Sequence, residues 1–132
     1  MAGLRVLLAE DNEFNAMVAM GQLENWSPGV QVRHVPNGAL AVEALKGGSF
    51  DVVLMDIQMP VMNGYDAARA IRALPGVKAH TPVIAMSANV MKAEMDRCTE
   101  AGMNGFVPKP FKREELTATI SRVLAVRTRK QG

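Results

Sequence analysis

Runs of apolar residues too short for a helix alternate along this chain with segments in which apolar positions recur every three or four residues. Leu4–Ala9 reads as a buried strand, and Phe14, Met17, Val18 and Leu23 keep helical spacing after it until Trp26-Ser27-Pro28-Gly29 ends the helix. Val30–Val35 is a second strand. Asn37 can cap a helix carrying Leu40, Ala41, Ala44 and Leu45, which Gly47-Gly48 stops. Val52–Met55 is the third strand, followed by a helix that opens near Gly64 and runs through Tyr65, Ala68 and Ile71 to Pro75. Pro82–Met86 is the fourth strand, and a helix from about Val90 to Ala101 follows, with Gly102 at its end. Met103–Val107 and a closing helix marked by Leu116, Ile120, Val123 and Leu124 complete the series.

Five strands alternating with five helices predict an α/β fold with a parallel sheet covered on both faces, because parallel neighbours need crossover connections. Continuous apolar runs, as opposed to strict alternation, fit strands buried on both sides. In such sheets a ligand site lies beyond the carboxyl ends of the strands, at the topological switch point. Glu10, Asp11, Asp56, Ser87 and Lys109 all fall at those ends. Asp56 closes the run Val52-Val53-Leu54-Met55, and the Pro60 and Asn63-Gly64 that follow cannot continue a strand.

The length of 132 residues, 48% of them hydrophobic, suits one compact domain, with a core from about residue 4 to 126. The formal charge is +2, but Arg127, Arg129 and Lys130 crowd the last six residues. Without them 12 basic residues face 13 acidic ones, so the body is close to neutral and lacks a nucleic-acid footprint. Residues 127–132 read as a basic tail or linker. Cys98 is the single cysteine, which excludes an internal disulfide and fits a reducing compartment. No apolar stretch approaches the roughly 20 residues of a membrane span, and the N-terminus lacks an export signal. A soluble, cytoplasmic segment is expected, any membrane attachment belonging to a longer parent chain.

Three carboxylates brought together repel one another unless a cation joins them or one takes up a proton. A small hard divalent ion is the natural occupant. Mg²⁺ takes one or two protein carboxylates and completes its shell with water and phosphate oxygens, which suggests phosphate chemistry. An aspartate can be a nucleophile toward phosphorus when metal and fixed cations neutralise the transferring group. Lys109 would supply such a cation, and Ser87 a hydroxyl donor.

These residues closely resemble the receiver domain of two-component response regulators, over about Leu4 to Val126. The resemblance rests on Glu10-Asp11, on Asp56-Ile57-Gln58-Met59-Pro60 with Asn63-Gly64 behind it, on Ser87-Ala88, and on Lys109-Pro110, all in order at strand ends. It implies a flavodoxin-like, CheY-like sheet of order 2-1-3-4-5 flanked by five helices. It further implies that Asp56 accepts a phosphoryl group from a phosphohistidine donor. Asp11, Asp56 and the backbone carbonyl of Gln58 would hold Mg²⁺, with Glu10 contributing through water. Lys109 and Ser87 would contact phosphoryl oxygens alongside backbone N–H groups near Ile57 and Ala88. Ser87 and Phe106 would form a conformational switch, and Gln58 and Asn89 would tune phosphoryl lifetime. A cis Lys109-Pro110 peptide is chemically accessible. The wording around Glu10-Asp11-Asn12 and Ser87-Ala88-Asn89 is most similar to receivers of hybrid sensor histidine kinases, whose partners would be the kinase core and a histidine phosphotransfer domain.

Plainer readings compete at several positions. Glu10-Asp11 could cap the following helix, with Asp11 or Asn12 doing so; Phe106 could be ordinary core; His34, His80 and Cys98 read as structural. Met17, Met55, Met86 and Met103 fit core patterns, while Met59, Met62, Met91 and Met95 cluster near the site loops and fourth helix, where adaptable thioethers suit a partner surface. Among alternative functions, a stand-alone regulator shares the same chemistry. An aspartate-nucleophile phosphatase would want a second aspartate where Gln58 stands. Flavin mononucleotide binding would set a phosphate against Glu10-Asp11, and partner binding without phosphorylation would leave Asp56, Asp11 and Lys109 without a purpose.

Overall fold

The computed structural model describes residues 3–89, 91–109 and 112–131, the side chains of 127–131 excepted. Strand β1 (Arg5–Ala9) is followed by α1 (Glu13–Trp26), β2 (Gln31–Val35), α2 (Gly38–Gly47), β3 (Val52–Asp56) and α3 (Gly64–Arg72). A 3₁₀ turn (Gly76–His80), β4 (Val83–Ser87), α4 (Lys92–Glu100), β5 (Gly105–Pro108) and α5 (Arg113–Gln131) complete the order. All strand pairs are parallel, in the order β2-β1-β3-β4-β5, as the family resemblance implies.

Burial explains why the middle strands are continuously apolar. Every residue of β3 and β4 is buried, whereas the edge strand β2 alternates and only Val35 is buried in it. Successive side chains leave the sheet on opposite faces. Leu7, Val53 and Ala85 pack with Leu45, Ile71 and Cys98 on one side. Leu8, Leu54 and Ile84 pack with Leu23, Leu116 and Ile120 on the other.

Three of the helices that follow strands start on an asparagine. Asn12, Asn37 and Asn63 each accept a hydrogen bond at 2.9 Å from the backbone N–H three residues on, which satisfies an orphan donor of the first turn. Asn12, not Asp11, therefore caps α1, and the Asp11 carboxylate is left for other work.

The structure corrects several expectations. Phe14 and Met17 are 72% and 70% exposed, so neither belongs to the core; α1 buries Ala16, Ala19 and Leu23 instead. Apolar residues surround α1, and the small alanines are what allow close approach to the sheet. Leu40 is likewise exposed while Ala41, Val42, Ala44 and Leu45 are buried. Helix α3 stops at Arg72, and the 3₁₀ turn occupies the segment beyond Pro75. Pairing in β5 begins at Gly105, two residues later than predicted. Helix α5 runs from Arg113 to Gln131. Val90, Pro110 and the side chains of Arg127, Arg129 and Lys130 lie outside the described residues, and so does the Lys109-Pro110 peptide.

Arg72 anchors the end of α3. Its guanidinium donates twice to the Gly102 carbonyl (2.9 and 2.6 Å), to the carbonyls of Ala79 (3.0 Å) and Thr81 (2.7 Å), and to Asn104 Oδ1 (2.7 Å). One planar fork thus ties α3, the 3₁₀ turn and the α4–β5 connection at the end of the sheet opposite the acidic residues. Replacing Arg72 by Leu removes the guanidinium from the Gly102, Ala79 and Thr81 carbonyls, while Asn104 Oδ1 keeps the Val83 N–H at 2.9 Å, and should cost about 2–4 kcal/mol in urea unfolding, with Arg72→Lys recovering less than half. An unchanged unfolding midpoint would contradict this brace.

Candidate functional site at the carboxyl ends of the strands

Parallel register brings the strand ends level. Ala9 lies opposite Met55, Asp56 opposite Met86, and Ser87 opposite Pro108. The ladder continues one step further through Ile57 N–H to the Met86 carbonyl (3.2 Å) and Lys109 N–H to the Ser87 carbonyl (2.8 Å). Glu10, Asp11, Asp56, Ser87 and Lys109 are therefore delivered to one edge from four strands.

Among the described residues, Glu10, Asp11 and Asp56 form the cluster able to hold a metal, with one carboxylate oxygen from each within 4.8 Å of the others. Their burial differs. Glu10 is fully buried and Asp56 is 4% exposed, whereas Asp11 faces solvent. Lys109 Nζ sits between the two buried acids, 3.0 Å from Asp56 Oδ2 and 3.0 Å from Glu10 Oε2. Glu10 Oε1 accepts from Asn12 N–H at 3.2 Å, and Asp56 Oδ1 accepts from Gln58 N–H at 3.2 Å.

The charges decide what the cluster can bind. Three carboxylates against one ammonium leave a surplus of two negative charges in a partly buried space. Glu10 Oε2 is buried and receives no well-aligned hydrogen bond, its contact with Lys109 being ionic. An all-oxygen donor set with a twofold negative surplus fits a hard divalent cation such as Mg²⁺. Burial, with the Glu10 charge adding to it, pushes the Asp56 carboxyl up to about 6 against the opposing pull of Lys109. Burial would lower the Lys109 ammonium, but its bonds to Asp56 and Glu10 outweigh that and raise it.

The loop after Asp56 is held tightly. A side chain on Gly64 would place its Cβ 2.5 Å from the Asp56 carbonyl oxygen, and one on Gly38 would come within 2.5 Å of the Met62 carbonyl. Val61 between them has φ 69°, an unfavourable region for a β-branched residue, and its side chain is 83% exposed. Gln58 is exposed at the rim, and Met59 and Met62 pack half-buried against the core.

Ser87 is 8% exposed; its Oγ accepts the Asn89 N–H at 3.0 Å, which leaves the hydroxyl hydrogen free to donate. Asn89 Oδ1 is occupied by Met91 N–H. Phe106 is half-buried on β5, away from the carboxylates, and lines a groove of about 320 Å³ with Met95, Cys98, Met103 and Arg122. Tyr65, which the sequence marks only as a helix residue, has a further role. Its hydroxyl donates to the Glu94 carboxylate while Arg97 stacks 4.4 Å from its ring centre, joining α3 to α4. Asp11, Gln58 and these three line a cleft of about 470 Å³ beside the acids. Glu94 and Arg97, three apart on α4, give no sequence signal that they reach a tyrosine 29 residues away from Glu94.

Comparison with known proteins agrees with this geometry. The family described as "Response regulator receiver domain" matches residues 6–121. The chain is 38% identical over 121 residues to the two-component response regulator ORR41 of Oryza sativa subsp. japonica, covering 90% of this chain and 93% of that protein. It is 36% identical over 142 residues to Histidine kinase 3 of Arabidopsis thaliana, covering 92% of this chain but spanning only 14% of that protein's length. The receiver domain of a sensor histidine kinase from Pseudomonas aeruginosa, crystallised with a magnesium ion in its active-site cleft, superposes with a TM-score of 0.84. That domain is 38% identical, over 94% of this chain and 99% of its own.

The raised Asp56 carboxyl has a consequence for stability without metal. Between about pH 4 and pH 6 the native chain holds a proton that the unfolded chain has lost, so stability falls as pH rises through that window. Asp56→Asn should therefore stabilise the metal-free protein by about 1–3 kcal/mol above pH 6, the gain vanishing below about pH 4. Denaturant unfolding of both chains across pH 3.5–8 checks this, and a pH-independent difference would refute it.

Proposed function

The chain belongs to the response regulator receiver domain family, and from that premise we propose that it accepts a phosphoryl group on Asp56 from a phosphohistidine donor protein. The observation that carries this reading is the Asp56 carboxylate, nearly buried at a strand end, sharing one ammonium with Glu10 beside an exposed Asp11.

In the proposed reaction an Asp56 carboxylate oxygen forms a bond to phosphorus as the bond from phosphorus to the donor imidazole breaks, its electron pair remaining on that nitrogen. Asp11, Asp56 and the Gln58 carbonyl would hold Mg²⁺ directly, with Glu10 linked through water. Bound there, the ion would neutralise charge on the transferring group. Lys109 already lies 3.0 Å from Asp56 Oδ2, so it can follow the oxygen as charge moves outward. The Ser87 hydroxyl can donate to a phosphoryl oxygen while its own oxygen keeps the Asn89 N–H. Movement of Ser87 toward the phosphoryl group would let Phe106 turn inward and reshape the surface of α4, β5 and α5. Gln58 and Asn89, exposed at the rim, would control water access and thus phosphoryl lifetime.

The partner we favour is a histidine phosphotransfer domain or the kinase core of a parent hybrid sensor kinase. In support, α1 exposes Phe14 and Met17 one turn apart next to Asp11, and a side chain at Gly21 on the same helix would meet nothing. A bare apolar stripe beside the acceptor suits a partner helix. A stand-alone regulator is the second reading, favoured by the near full-length match to a plant response regulator.

Intact-protein mass after exposure to a small phosphoryl donor should rise by one acid-stable, base-labile phosphoryl group that requires Mg²⁺ and disappears in Asp56→Asn. No addition with the fold intact would remove autonomous phosphorylation. Phe14→Ala with Met17→Ala should slow transfer from a phosphorylated histidine phosphotransfer domain by about 10-fold or more and leave labelling by the small donor unchanged. Equal slowing with both donors would place the effect in the site and not in docking.

A further inference from the structure

Glu10 is held by its backbone as well as by its carboxylate. Its N–H donates to the Val35 carbonyl at 3.0 Å, the last rung between β1 and β2. The residue after β2 is Pro36, which has no N–H, and the chain bends there toward α2. The Glu10 carbonyl thus emerges where the ladder has ended and needs another donor. His34 provides one. This half-buried β2 residue, paired with Leu8, places Nε2 2.7 Å from the Glu10 carbonyl oxygen. Since a carbonyl only accepts, the contact assigns the hydrogen to Nε2.

That carbonyl belongs to the peptide joining Glu10 to Asp11. With N–H on Val35 and C=O on His34, Glu10 cannot rotate about its backbone without breaking a hydrogen bond. The plane from which the Asp11 side chain departs is fixed with it. This matters because the acids repel one another, and Asp11, being exposed, has room to swing away.

We infer that His34 is a positioning residue for the acidic pair, setting the backbone from which Glu10 and Asp11 reach the metal. The inference rests on the reading of this site as an Mg²⁺ site. Groups that orient metal ligands tune affinity even without touching the ion, and an effect passed through one peptide should be smaller than that of a direct ligand partner.

Mg²⁺ titration by calorimetry on the native chain, His34→Leu and His34→Gln, with metal-free thermal unfolding of each, tests it. His34→Leu should weaken Mg²⁺ binding by about 3–10-fold. His34→Gln, whose side-chain N–H can reach the same carbonyl, should stay within about 2-fold of the native chain. Labelling of His34→Leu by a small phosphoryl donor should recover at saturating Mg²⁺. If His34→Leu binds Mg²⁺ as tightly as the native chain, whatever its melting temperature, His34 is a structural residue and the inference is wrong. If the native chain binds no Mg²⁺, the metal-site reading falls and takes this inference with it. Should the leucine chain not fold, His34→Met, which also lacks the N–H, replaces it with the same expectations.

Discussion

The ammonium of Lys109, lodged between the carboxylates of Glu10 and Asp56, is the interaction on which the arrangement depends. Its partners lie 99 and 53 residues away in the chain, so the contact exists only when β1, β3 and β5 end at the same level. Two acids buried to this extent would repel each other and resist ionisation without it. With it, they stay close together, and the surplus charge is carried outward to Asp11 at the mouth. The sheet is the device that brings about this convergence. Its central strands are apolar on both faces and fill two cores, which leaves polar chemistry to their ends.

The surroundings of the acids differ in rigidity, and the difference has identifiable causes. Behind the site, asparagine caps, the close backbone approaches at Gly38 and Gly64, and the Arg72 brace hold α2 and α3 against the sheet. In front, α4 buries only Cys98 of its nine residues. Its main polar tether to the acceptor side is the clasp of Tyr65 with Glu94 and Arg97. A helix with so little buried apolar surface is held less firmly than the scaffold behind, and it lies beside the loops around Asp56. Val61, with its positive φ, lies in one of those loops.

Much of this was legible in the sequence because two independent signals coincide. Apolar runs located the strands, and polar residues interrupting them at their carboxyl ends located Glu10, Asp11, Asp56, Ser87 and Lys109. Sequence failed where the deciding contact is non-local or where size misleads. Phe14 and Met17 look more like core than Ala16 and Ala19, but the helix turns its small residues inward to approach the sheet. Tyr65 and Glu94, and likewise His34 and Glu10, have no sequence relation that predicts their hydrogen bonds. The role of Arg72 was hidden for the same reason, since all its acceptors are backbone or amide oxygens on later segments.

We propose that Asp56, and not a neighbouring acid, takes the phosphoryl group. Borohydride reduces an aspartyl-phosphate to homoserine, so reduction of the freshly labelled protein followed by peptide sequencing by mass spectrometry locates the acceptor directly. Homoserine is expected at position 56 alone, with Glu10 and Asp11 unchanged. Homoserine at Asp11, a reduced side chain at Glu10, or label on a residue that borohydride does not convert would contradict it.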